Sequence, residues 1–265
     1  MLPDFKLITH KFVDRPDIEI WPVFDLHLGA AEHNAEAWAK FCRKILSRDN
    51  AYIVLGGDLI NNATRSSVSD IFRETMSPSM QKQVVAEQLA PLKDRILCGV
   101  PGNHERRSQR DCDCSPSYDI MCKLNLEHLY RENIAFVRIK MGDYKGAGQH
   151  NPCYMLAITH GASGGALPGS TLNKSINFAN SLDGCDVFIC GHAHKPSIAP
   201  PAKIVIDGQH GMAFIKPFYV VNATAWMDYG GYAAQKMLLP SSIAPQVITL
   251  FGRKKKVAVS TSCTM

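Results

Sequence analysis

The sequence predicts an α/β fold built from two β-sheets packed face to face with helices on the outside. Three observations lead there. Short β-rich apolar runs alternate several times with stretches of helical periodicity. The later part of the chain turns β-rich, which favours two sheets over one doubly wound sheet. Each apolar run also ends in a polar cluster, as strands do when their ends line a crevice. With 265 residues, 46% of them hydrophobic, one domain over residues 1–265 is expected.

The elements follow in order. "IEIWPVF" (Ile18 to Phe24) reads as a strand, and Asn34 is an N-cap for a helix carrying Trp38, Phe41, Cys42 and Ile45 on one face. "AYIVL" is the next strand. Ser77 and Pro78 start a helix whose Val85, Leu89 and Leu92 share a face, and "RILCGV" returns to strand. A helix is expected near Tyr118 to Leu124 and a strand near Ile134 to Ile139, after which "CYMLAIT" resumes the core. The glycine-rich "HGASGGALPGS" leads into a helix with Leu172, Ile176 and Ala179 on one face, and "DVFIC" (Asp186 to Cys190) is a buried strand. Further strands are expected at Ala202 to Ile206, Phe214 to Val221 and Gln246 to Phe251.

Bulk properties narrow the class. No run approaches the roughly 18 apolar residues of a membrane helix, and "MLPDFKLITH" lacks the layout of a secretion signal. A soluble, cytoplasmic protein with no membrane partner is the expectation. Nine cysteines, among them Cys42, Cys98, Cys153 and Cys190 in core-like segments, fit reduced thiols. Cys112 and Cys114 have no second close pair to complete a zinc site. The terminal "CTM" misses the prenylation layout, and the glycosylation patterns at Asn62 and Asn222 carry no weight without an export signal. The net charge of +5 is modest, and "GRKKKV" reads as a solvated tail rather than a binding element.

The polar clusters carry the chemistry. They are "DLH" (Asp25, His27), "GGD" (Gly56 to Asp58), "GNHERR" (Gly102 to Arg107), "TH" (Thr159, His160) and "GHAH" (Gly191 to His194). Any one of them alone is an ordinary set of hydrogen-bonded structural residues. Five in succession, each at a strand end and each offering a hard or borderline ligand, favour a metal centre. The i, i+2 spacing of Asp25/His27 and of His192/His194 sends both side chains of an extended segment to the same side, and the flanking glycines permit tight turns.

In that order and combination the motifs resemble those of the calcineurin-like metallophosphoesterases: Asp-x-His, Gly-Asp, Gly-Asn-His-Glu, a later His, then Gly-His-x-His, spanning residues 25 to 194. The length and "MDYGGY" (Met227 to Tyr232) also resemble short phage and prophage members. The resemblance implies a four-layer α-β-β-α sandwich of two mixed β-sheets. It implies two divalent ions, manganese favoured and iron, nickel or zinc as alternatives. One would be held by Asp25, His27 and His194, the other by Asn103, His160 and His192, with Asp58 bridging. Two ions about 3.5–4 Å apart hold a water between them, lower its pKa and stabilise both oxygens of an in-line displacement at phosphorus. His104 would donate a proton to the leaving oxygen or steady the transition state.

Arg106 and Arg107 are candidates for the substrate phosphate, since guanidinium matches its oxygens in bidentate fashion. Asn61, Arg65 and Lys195 are weaker candidates. One departure matters: "GDLINNA" places Asn61 where the protein-phosphatase branch has a second aspartate. That argues against phosphoprotein substrates and leaves open what orients His104. The Gly-His-x-His ending is instead typical of the phosphodiesterase and nuclease branches, so a phosphodiester of a nucleotide or nucleic acid such as DNA is the expected substrate. A phosphomonoesterase and a catalytically silent binding module are the alternatives. Oligomeric state is left open by the sequence.

Overall fold

The computed structural model describes residues 3–13, 15–65, 67, 71–142, 151–162 and 167–262. Ser66, residues 163–166 of the glycine-rich loop and the terminal "CTM" lie outside the described residues. The first half of the chain runs β1 (Ile8–Phe12), β2 (Asp17–Val23), α1 (Ala35–Leu46), β3 (Ala51–Leu55), α2 (Pro78–Leu89), β4 (Ile96–Gly99), α3 (Glu105–Cys112) and α4 (Pro116–Lys123). It continues with β5 (Ala135–Met141), β6 (Cys153–Ile158), α5 (Pro168–Asn180), β7 (Val187–Cys190), β8 (Ser197–Ala199), β9 (Ala202–Asp207) and β10 (Met212–Pro217). The last elements are β11 (Tyr219–Asn222), α6 (Gly231–Gln235), β12 (Gln246–Phe251) and β13 (Val257–Thr261).

These strands form two mixed sheets, in the orders β1-β5-β6-β7-β11-β8 and β13-β12-β2-β3-β4, and a separate β9–β10 ribbon. The central pairs β2–β3, β3–β4, β6–β7 and β7–β11 are parallel, so their C-terminal ends emerge along one edge of each sheet. Ile18 and Ile20 of β2, Ile53 and Leu55 of β3, and Ile248 and Leu250 of β12 share one core with Val137 and Ile139 of β5 and Leu156 of β6. The two sheets therefore pack face to face, and the α/β sandwich expected from the sequence is the fold. Tyr154, fully buried between them, donates its hydroxyl to the Phe251 carbonyl at 2.7 Å.

The helices cover the outer faces. Asn34 caps α1, its side-chain oxygen accepting from the Ala37 amide at 2.8 Å, an arrangement that contributes about 1 kcal/mol. Trp38, Phe41 and Ile45 recur at helical spacing and are buried, each stabilising the layer by roughly 1.5–3 kcal/mol. Ser77 caps α2 with Pro78 at its first turn, where a missing amide costs nothing. On the other sheet, Leu172, Ile176 and Ala179 of α5 pack against Ala157, Phe188, Phe218 and Val220.

Some elements differ from expectation. β1, β8, β13, α3 and α6 are additional, and the expected strand from Phe214 to Val221 is two strands broken at Phe218. "GRKKKV" is the turn into β13 rather than a tail, with Lys255 paired to Asp186 at 2.9 Å. The described cysteines are all free, with Cys98, Cys185 and Cys190 buried and Cys112 and Cys114 exposed.

Candidate metal centre

The centre assembles at the C-terminal ends of β2, β3, β4, β6 and β7, where parallel strands release their chains into turns. Asp25 and His27 follow β2, Asp58 follows β3, Asn103 and His104 follow β4, His160 follows β6, and His192 and His194 follow β7. The turns are locked to each other by backbone. The Asp25 amide donates to the Gly57 carbonyl at 3.1 Å, the His27 amide to the Asp58 carbonyl at 2.9 Å, and the Gly191 amide to the His160 carbonyl at 2.9 Å.

Convergence is reached through left-handed turns, not from extended backbone. Asp25, His27, Asp58, His192 and His194 all have positive φ, between 46° and 69°. Side chains other than glycine, asparagine and aspartate rarely adopt that region, which costs roughly 1–2 kcal/mol each. Such strain persists where the surroundings over-determine it, and here it aims five polar groups at one place. Two glycines are required for the approach. A Cβ on Gly102 would stand 2.0 Å from Asp58 Oδ1, and one on Gly191 would stand 2.5 Å from the Phe24 ring and 2.7 Å from Asp25 Oδ2.

Among the described residues, three sets of side chains are close enough to hold a metal ion: Asp25, His27 and His194; His27, Asp58 and His104; and Asp58, His160 and His192. In the first, His27 Nε2 and His194 Nε2 are 3.1 Å apart and lie 4.0 and 3.5 Å from Asp25 Oδ1. Asp25 Oδ1 is buried and has no hydrogen-bond partner. In the third, Asn103 Oδ1 lies 2.9 Å from His160 Nε2 and 2.6 Å from His192 Nδ1, with Asp58 Oδ2 at 3.3 Å from His160 Nε2. Donor atoms about 2.0–2.2 Å from a common cation stand roughly 3–3.5 Å from each other. An orphaned buried carboxylate oxygen in the first set and closely facing donor atoms in both the first and the third are what such an ion would satisfy, so the residues of these two sets fit a cation. Asp58 belongs to two of the three sets, as a bridging carboxylate would.

The electrostatics agree. Burial works against charge on the Asp58 carboxyl, but the His160 and His104 rings outweigh it and hold its pKa well below the usual range. Burial likewise opposes charge on His160, yet the Asp58 carboxylate overcomes it and pushes that ring up to about 10. His27, walled in and beside His104, is driven well below its ordinary value. An anionic carboxylate among crowded imidazoles could hold a cation, with protons as its first competitor.

The neighbouring residues separate into those that face the centre and those that do not. His104 lies 3.8 Å from Asp58 Oδ2 through its Nε2, while its Nδ1 donates to the Asn61 carbonyl at 2.7 Å. A backbone carbonyl therefore orients the ring. Arg107 donates to His104 Nε2 at 2.9 Å and to the same Asn61 carbonyl at 3.2 Å. Arg106 turns away, to the carbonyl and carboxylate of Glu132 and to Asn133. The Asn61 side chain is buried and donates to Glu74. Arg65 is exposed in the loop beyond it, and Lys195 is half-buried after the last ligand.

Sequence reasoning missed Glu105. It is 1% exposed, and its two oxygens accept from four backbone amides: Asp58 at 2.9 Å, Leu59 at 2.7 Å, Ile60 at 3.3 Å and Gly102 at 2.9 Å. It ties the Asp58 turn to the Gly102–His104 turn. Burial and the Asp58 charge push its carboxyl up to about 7. The only sequence signal is its place directly after Gly-Asn-His.

Among solved structures the chain is similar to a conserved uncharacterised protein from Streptococcus pneumoniae TIGR4 described as a predicted phosphoesterase, at 11% identity and a TM-score of 0.40, covering 94% of this chain and 99% of that one. It is also similar to a metallophosphoesterase from Sphaerobacter thermophilus, at 12% identity and a TM-score of 0.38, covering 92% and 88%. A third is Vps29 from Chaetomium thermophilum, at 12% identity and a TM-score of 0.43, covering 94% and 97%. No curated protein matches the chain. The family model described as calcineurin-like phosphoesterase matches residues 25–196, from Asp25 to just past His194, and the chain belongs to that family.

Proposed function

We propose that the chain hydrolyses phosphodiesters, of a nucleotide or a nucleic acid, at a two-metal centre. Asp25, His27 and His194 would hold one divalent ion and Asn103, His160 and His192 the other, with Asp58 between them. Manganese is the favoured metal. Bound there, the ions would lower the pKa of a water and neutralise charge developing on the phosphoryl oxygens. The observation that carries the reading is the position of Asp58: its Oδ2 lies 3.3 Å from His160 Nε2 and 3.8 Å from both His27 Nε2 and His104 Nε2. A carboxylate shared in this way holds two cations that would otherwise repel.

The chain's own groups supply the rest. Because His104 Nδ1 donates to the Asn61 carbonyl, Nε2 is the nitrogen left to face a substrate. Burial lowers its pKa against the pull of Asp58, so the ring rests neutral, and a proton taken up at Nε2 once Arg107 has moved off it passes readily to the leaving oxygen. The Arg107 guanidinium, now resting on Nε2, re-aims at a phosphate oxygen and frees that nitrogen. With Arg106 engaged by Glu132, a single guanidinium stands at the centre. The diester reading rests on the Gly-His-x-His ending, His192 and His194, which resembles that of the phosphodiesterase and nuclease branches.

The test is turnover of an aryl phosphodiester by manganese-loaded protein and by Asp58→Asn. Loss of at least 100-fold is expected, with the diester preferred to the corresponding monoester. Unchanged turnover in the variant would refute the assignment.

A further inference from the structure

The ribbon formed by β9 and β10 presents one wholly apolar face to solvent. The pairing sets Ile204 opposite Ile215, Ile206 opposite Ala213 and Ala202 opposite Pro217. Residues directly opposite on neighbouring strands share a face, so one face consists of Ala202, Ile204, Ile206, Ala213, Ile215 and Pro217. It carries no polar side chain. It is also the outward face: Ile204 is 77% exposed, Ile206 79% and Ile215 73%, and the two alanines and the proline are exposed as well.

The opposite face holds Lys203, Asp207 and Lys216 together with Val205, Met212 and Phe214, of which Met212 is 56% and Phe214 45% exposed. Lys203, Val205, Asp207 and Lys216 are all less exposed than the isoleucines between them. Lys203 donates to the Leu182 carbonyl at 2.6 Å and lies over the Phe218 ring as a cation–π contact, 5.2 Å from its centroid. Period-2 alternation normally buries the apolar set and solvates the polar one. A two-stranded ribbon is also marginal without a covered face. A ribbon that keeps its lysines inward and its isoleucines outward is built for a surface that arrives from outside.

We propose that this face is covered by the same face of a second copy of the chain, giving a two-fold dimer. The inference is independent of the proposed chemistry, since none of the six residues belongs to the metal centre. An isologous contact requires a patch that is complementary to itself, and a face with no charge meets its own copy without burying an unpaired ion. The area is adequate. At their exposure the three isoleucines leave on the order of 400 Å² in water. With the alanines and the proline counted on both copies, face-to-face contact removes on the order of 1,000 Å², where specific interfaces begin.

Sedimentation equilibrium of the full chain from about 1 to 100 µM tests this. The expected result is a concentration-dependent species of twice the 29.2 kDa of one chain. The double variant Ile204→Lys/Ile215→Lys places two charges on a cross-strand pair and is expected to raise the dimer dissociation constant at least 100-fold, with far-UV circular dichroism unchanged. Lys216→Ala, on the opposite face, is expected to dimerise as the parent does. If the double variant does not fold, Ile206→Lys provides the same comparison from the neighbouring pair. A parent chain that stays monomeric across the range overturns the proposal, as does a dimer that survives Ile204→Lys/Ile215→Lys in folded protein. Binding of monomeric protein to neutral phosphatidylcholine vesicles, lost in the double variant, also overturns it and assigns the face to a lipid surface.

Discussion

Glu105→Gln is the most informative single substitution, because it changes one oxygen and leaves the ligands untouched. The Glu105 carboxylate receives four amides, two on each oxygen, at 2.7 to 3.3 Å. A glutamine keeps one acceptor oxygen and presents an N–H₂ group to the other pair of amides. Two charge-assisted bonds are lost, and donors face donors in a site closed to water. A bond to a charged group contributes about 1.5–3 kcal/mol, and an unsatisfied buried donor costs about 1–3 kcal/mol, so a total near 3–5 kcal/mol is expected. For a chain of this size that lowers the melting temperature by roughly 8–15 °C. Since two of the amides belong to the Asp58 turn and the Gly102 turn, the carboxylate and Asn103 should lose register together. Manganese affinity, read by titration calorimetry, should fall about 10- to 100-fold. A variant that melts within 2–3 °C of the parent and binds manganese equally well would refute the claim that Glu105 positions the two turns.

Three further outcomes are expected. Arg107→Ala should lower kcat/KM for a phosphodiester about 10- to 100-fold, while Arg106→Ala, whose guanidinium is spent on Glu132, should stay within about twofold; equal losses would contradict the geometry. Gly191→Ala, whose new Cβ would meet Phe24 and Asp25, should reduce metal content after purification and lower the melting temperature by several degrees. Because Asp58 holds a proton on His160 in the metal-free protein, with a pKa near 10, uptake of a cation must release it. The apparent manganese affinity should therefore fall about tenfold for each pH unit between 8 and 6, and calorimetry in buffers of differing ionisation enthalpy should report at least one proton released.

Much of the fold was legible because local signals and packing agree. Asn34 and Ser77 mark the starts of α1 and α2 as caps, and the Trp38, Phe41, Ile45 spacing marks the buried face of α1. α3 was not legible, since "ERRSQRDC" has no apolar stripe and buries only Glu105. β1 was hidden by the polar residues of "ITHKF", where only Ile8 is buried. The expected long strand after Phe214 breaks because Pro217 has no amide to continue a ladder and Phe218 turns into the core. The five motif turns announce the site through their residue types. The left-handed backbone of three of them, at Asp25 and His27, Asp58, and His192 and His194, does not show in those types, because glycine, the usual marker of positive φ, flanks these residues instead of replacing them. The difference between Arg106 and Arg107 could not be read either: neighbours on a helix point about 100° apart, and which one faces the centre depends on where α3 docks.

The central claim is that two cations sit between turns that converge on Asp58. Anomalous diffraction from crystals of the full chain loaded with manganese measures this directly. Two peaks about 3.5–4 Å apart are predicted, one against Asp25, His27 and His194 and the other against Asn103, His160 and His192, with Asp58 in contact with both. A single peak, or peaks away from Asp58, would contradict it.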